Sequence, residues 1–73
     1  MKHNFDFQSS KDHYDFAGKQ LIEKDLMTNV ANTPDFKGVM PKHVTFTWSD
    51  LIEDEKYSGG GYYNINIDID IPE

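Results

Sequence analysis

Asn64, Asn66, Asp68 and Asp70 stand two residues apart behind Tyr62, and the intervening positions are Tyr63, Ile65, Ile67, Ile69 and Ile71. In an extended chain, alternate side chains point the same way, about 6.6–6.8 Å apart. Such a spacing makes a polar row on one face of a strand and an aliphatic row on the other. A row of amides and carboxylates can bind a cation, imitate a line of phosphates, or simply face water. A calcium loop needs a glycine at its turn and a bidentate glutamate further on. Both are missing, and a strand spreads its carboxylates where a loop would gather them. The phosphate comparison is loose but physical, because phosphates advance about 3.4 Å per nucleotide along one DNA strand. Asp6, on an earlier alternating segment, adds one carboxylate to this face, and Glu53, Asp54 and Glu55 form a further acidic run.

The other reactive residue types form no catalytic constellation. His3, His13 and His43 lack metal-ligand spacing, and Ser9, Ser10, Ser49 and Ser58 sit in no nucleophile motif. The absence of cysteine removes disulfides, thiolate catalysis and cysteine zinc sites. Ser58-Gly59-Gly60-Gly61 precedes a strand, whereas a phosphate cradle leads into a helix, so a flexible connection is expected. Tyr57 and Tyr62 flank those glycines and are free by parity to face outward, which suits an interface centre. The chain is therefore expected to be no enzyme and to hold no metal or cofactor.

Charge narrows the partner. Thirteen acidic residues against seven basic ones give a net charge of −6, and every basic residue is lysine. Without the planar guanidinium fork, and with a negative field, direct binding to nucleic acid or to an anionic membrane is disfavoured. A protein with a basic surface is favoured, since opposite fields steer association. The N-terminal residues have no apolar signal-like core, and no segment has membrane-spanning length, so a cytoplasmic location is expected. Abundant Lys, Asn and Ile without Arg suits AT-rich coding of the mobile-element kind, with the host cytoplasm as the setting for a phage product.

The elements that must position these residues follow from periodicity. His3, Phe5 and Phe7 alternate with Asn4, Asp6 and Gln8, predicting a first strand over residues 2–8. Ser9 or Ser10 can cap a helix running from Lys11 to Val30, with Tyr14, Ala17, Leu21, Ile22, Leu26 and Val30 at three- and four-residue steps. Gly18 weakens its middle by about 1 kcal/mol relative to Ala, or marks close packing. Residues 32–42 connect to a second strand, His43 to Ser49, with Val44, Phe46 and Trp48 on one face. The loop from Asp50 to Tyr57 has two readings: a solvated turn with Leu51 and Ile52 folded back onto the core, or an adaptable binding loop. The last strand covers residues 62–71.

One domain over residues 1–73 is thus expected, of class α+β and order β-α-β-β. One helix packs on a three-stranded antiparallel or mixed sheet, with the C-terminal strand central and the first two strands parallel at the edges. The expected function is a small acidic protein-binding module, an inhibitor or nucleic-acid mimic acting on a nucleic-acid-binding protein. Its expected contact residues are Asp6, Glu53, Asp54, Glu55, Tyr57, Tyr62, Asn64, Asn66, Asp68 and Asp70. The alternative is a self-associating structural domain without catalytic activity, a homodimer joined through an edge strand.

Overall fold

The computed structural model describes residues 1–72 of the chain. Its elements are β1 (Lys2–Ser10), α1 (Lys11–Ala17), α2 (Lys19–Ala31), β2 (Val44–Trp48), β3 (Ile52–Glu53) and β4 (Gly61–Asp70), with short 3-10 turns at Pro34–Phe36 and Pro41–His43. The class is α+β, with two helices and a four-stranded antiparallel sheet. Two features differ from expectation: the helical segment is divided, and a fourth short strand is present.

Gly18 divides the helix. Its φ of 84° and ψ of 158° lie where only glycine is at ease, so the chain turns there instead of continuing in helix. Ser10 caps α1, its hydroxyl accepting from the His13 N–H at 3.2 Å. Lys11 Nζ donates to Asp15 Oδ2 at 2.6 Å one turn on. That hydrogen bond, and then the charge of Asp15, raise the Lys11 pKa above its ordinary value. α1 buries none of its residues, whereas α2 buries Ile22, Leu26 and Val30.

β4 lies between β1 and β2, and β3 pairs with its N-terminal end. Ile65, Ile67 and Ile69 meet Ile22, Leu26 and Val30 of α2 in the buried core. The predicted parity therefore appears in β4: the isoleucines are buried and Asp68 and Asp70 are exposed. Neighbouring strands extend each isoleucine into a three-residue row. His3 and Val44 flank Ile69, Phe5 and Phe46 flank Ile67, and Phe7 and Trp48 flank Ile65.

The flank on the β2 side is interrupted by a bulge. Trp48 opposes Ile65 and Ile52 opposes Tyr62. Ser49, Asp50 and Leu51 must therefore span the length that Tyr63 and Asn64 span on β4, which is one residue too many. The extra residue reverses the facing of the chain beyond it. Ile52 consequently lies beside Tyr62 on the polar face with 39% exposure, and Leu51 is exposed as well. The reading in which both aliphatics fold back onto the core is not met, because the bulge turns Ile52 out.

Candidate functional site: the polar face of the sheet

β1 and β4 contribute the polar face in strict register. Gln8 lies opposite Asn64, Asp6 opposite Asn66, Asn4 opposite Asp68 and Lys2 opposite Asp70. The Met1 ammonium donates to the Ile71 carbonyl and the Ile71 N–H donates to the Met1 carbonyl, so Met1 and Ile71 are a hydrogen-bonded pair. Antiparallel pairs alternate between hydrogen-bonded and non-hydrogen-bonded types. The even-numbered pairs between β1 and β4 are therefore of the non-hydrogen-bonded type, in which Cα atoms approach to about 4.5 Å and side chains are closest.

That proximity produces a connected network. Asn4 Nδ2 donates to Asn66 Oδ1 and Asn66 Nδ2 donates to Asn4 Oδ1, both at 2.9 Å. Asn66 Nδ2 also donates to Asp6 Oδ1 at 2.9 Å, and Asn64 Nδ2 reaches the same oxygen at 3.3 Å. Asn4 Nδ2 lies 3.3 Å from Asp68 Oδ1. Amides thus hold one oxygen of Asp6 and one of Asp68 in place, and the carboxylates present to solvent in a fixed arrangement.

At the other end of the face the side chains are aromatic and aliphatic. The Tyr57 and Tyr62 rings pack at a tilt of 32° with centroids 4.4 Å apart, and the Tyr57 hydroxyl donates to Gln8 Oε1 across the sheet. Ile52 lies next to Tyr62. The face therefore grades from an apolar, aromatic end to a carboxylate end at Asp68 and Asp70, about 20–27 Å away by strand rise.

The loop that carries Tyr57 is tied down. Asp12 N–H donates to the Ser58 carbonyl at 3.2 Å, and the Ser58 hydroxyl donates to the Asp12 carboxylate. Gly59, with φ 87°, sits so close to α1 that a Cβ would meet Asp12 Oδ1 at 2.8 Å. The glycine run expected as a flexible connection is, in this fold, a close turn packed on the start of the helix.

Of the ten residues predicted for the site, Asp6, Tyr57, Tyr62, Asn64, Asn66, Asp68 and Asp70 come together on this face. Glu53, Asp54 and Glu55 do not join the carboxylate end. Glu53 pairs with Gly61, whose parity is that of the isoleucines, and the three acids line a cleft with Lys11, Leu51 and the Gly59-Gly60 turn. Lys2, Asn4, Gln8 and Ile52 also lie on this face and were absent from that prediction. The even parity of the first strand already puts Asn4 on this face, and carried through it adds Lys2 and Gln8. Parity could not add Ile52, because its facing depends on the bulge.

Among the described residues, no group of three or more His, Asp or Glu side chains is placed to hold a metal ion. No helix among them is long and apolar enough to cross a membrane. Comparison with protein-family models, curated proteins and solved structures finds no match.

Proposed function

We propose that the chain is a protein-binding module that docks a basic partner on the polar face of β1 and β4. The observation that carries this reading is the amide network that holds Asp6 and Asp68, on the same face as the Tyr57, Tyr62 and Ile52 cluster. Preorganised polar groups lose little freedom on binding. Aromatic residues flanked by polar ones are the usual anchors of an interface. The net charge of −6 supports the sign of the partner.

The narrower form of the proposal names the partner as a nucleic-acid-binding protein, inhibited by occupation of its basic groove, in the cytoplasm of a cell hosting a phage or mobile element. Asp6, Asp68 and Asp70 are interleaved with amides and Lys2 on this face, so the charge is sparser than a line of phosphates. Hydrogen bonding from Asn4, Asn64 and Asn66 must then supply much of the specificity.

The test is capture of partners from a lysate at low salt by the intact chain, followed by quantitative binding. Affinity should fall as salt rises, since counter-ions screen opposite fields. It should fall further for Asp68→Asn/Asp70→Asn, and nucleic acid should compete for the same partner. Binding that ignores both salt and the two substitutions rejects the acidic-face reading. Binding that obeys both but is not displaced by nucleic acid rejects only the narrower form.

A further inference from the structure

A second surface, the outer edge of β1, adjoins the polar face and shares Lys2, Asn4 and Asp6 with it. Because odd-numbered residues of β1 bond to β4, the N–H and C=O groups of Lys2, Asn4, Asp6 and Gln8 point away from the sheet. This edge is long, and among the described residues no strand lies beyond it. Phe5 and Phe7 line the same edge on the helix side, 37% and 45% exposed. They form one wall of a groove of about 190 Å³, with Leu26, Val30 and Phe36 on the other. An uncovered backbone edge beside exposed phenylalanines is a template for another strand.

We infer that the strand completing this edge is β1 of a second copy of the chain, antiparallel about a two-fold axis at Asn4. The sequence of β1 selects that partner and that register. The occupant must carry large apolar residues at alternate positions facing the helices, and β1 does so itself. The two-fold can pass through residue 4, 5 or 6 while keeping outward backbone groups paired with outward groups. Centred on residue 6 it sets Asp6 directly against its own copy, and like charges directly opposite are destabilising. Centred on residue 5 it leaves the two Asp6 carboxylates as diagonal neighbours. Centred on Asn4 it places Lys2 opposite Asp6 of the second copy, twice by symmetry.

In that register Asn4 faces itself, and His3 faces Phe5 of the other chain. The latter is a non-hydrogen-bonded pair, in which side chains are closest. The sheets join through the two β1 strands, so the two copies of β4, with α2 packed on each, are about 14 Å apart at 4.8 Å per strand. Directly packed helices lie 8–10 Å apart, and the space between them takes the four rings of Phe5 and Phe7. The polar faces of the two copies become one surface, with Asp68 and Asp70 still exposed.

Sedimentation of the full chain from micromolar to millimolar concentration reads this directly. The wild type should be a reversible dimer, and amide exchange of Asn4 and Asp6 should slow as concentration rises. Lys2→Glu and Asp6→Lys should each weaken the dimer by about tenfold, since each turns two attractive pairs into repulsive ones. The double variant keeps the wild-type net charge and should return to within about threefold of its affinity, the mark of direct coupling. Far-UV circular dichroism and a denaturation curve for each variant confirm the fold. A strict monomer at millimolar concentration overturns the inference, even if an unrelated extended peptide binds the edge. A dimer indifferent to both single changes, or a double variant as weak as the singles, overturns it too. Asp68→Asn/Asp70→Asn leaves the dimer intact, so this result and failure of the polar-face reading are separable.

Discussion

The two flanks of β4 carry nearly the same pattern and meet opposite fates. Phe5 and Phe46 lie on either side of Ile67, and Phe7 and Trp48 on either side of Ile65. Phe46 and Trp48 pack against the core, and the Trp48 Nε1–H donates to Glu23 Oε2 of α2 at 3.1 Å. Lys19 Nζ sits 5.5 Å from the Trp48 ring centre, and Tyr14 and Tyr63 meet the same ring. Phe5 and Phe7 have Phe36 and the rim of α2 beside them and are otherwise open. Alternation therefore establishes which side of a strand is apolar. Which of two equivalent flanks is covered depends on where the single long helix lies.

The largest expected effect lies on the line dividing the flanks. Ile67 is 1% exposed and lies between Phe5 of one flank and Phe46 of the other. Ile67→Ala should cost about 2–5 kcal/mol, the range for emptying a well-packed site. In a domain this small that is a large share of a total stability of roughly 5–15 kcal/mol. The measurement is the midpoint of urea unfolding.

Next come the flanks themselves, compared at one position in the sheet. Phe46→Ala should cost about 2–3 kcal/mol, reduced from the fully buried range because the ring is half-buried. Phe5→Ala at concentrations that keep the chain monomeric should cost about 1 kcal/mol or less, close to a surface change. Equal losses at the two positions would show that β1 is covered as well as β2. Trp48→Phe probes the covered flank. It removes the donor to Glu23 and shrinks the ring that Lys19, Tyr14 and Tyr63 meet, and should cost about 1.5–3 kcal/mol, at least the scale of a hydrogen bond to a charged acceptor.

These differences explain how much could be read from residue order. The β4 parity, the β1 alternation and α2 were legible because each is a local period, of two residues or 3.6. Gly18 was legible as a weak point but not as a break, since a glycine inside a helix and one between helices look alike until ψ is known. The bulge after Trp48 was not legible. Ser49, Asp50 and Leu51 carry no periodic mark, so the reversal that exposes Ile52 and sends Glu53 to the helix side had no sequence trace. The amide network was half legible: the row on β4 was evident, but its tie to Asn4 and Asp6 depends on the β1 register.

The polar face repeats the asymmetry of the flanks in milder form, and its prediction has the smallest expected effect. Asn66 lies between Asp6 on β1 and Thr47 on β2. Its outward backbone bonds run toward β2, so the Asn66–Thr47 pair is of the hydrogen-bonded type, with Cα atoms about 5.5 Å apart, against about 4.5 Å for Asn66–Asp6. The Asn66 side chain accordingly bonds to Asn4 and Asp6. A double-mutant cycle on unfolding free energy should give about 0.5–1 kcal/mol of coupling between Asn4→Ala and Asn66→Ala, the scale of residues sharing a network. The cycle of Asn66→Ala with Thr47→Ala should give about 0.3 kcal/mol or less. Comparable coupling on both sides would mean that the side chains do not follow the alternation of pair types. The fixed carboxylates on which the proposed partner recognition rests would then lose their geometric cause.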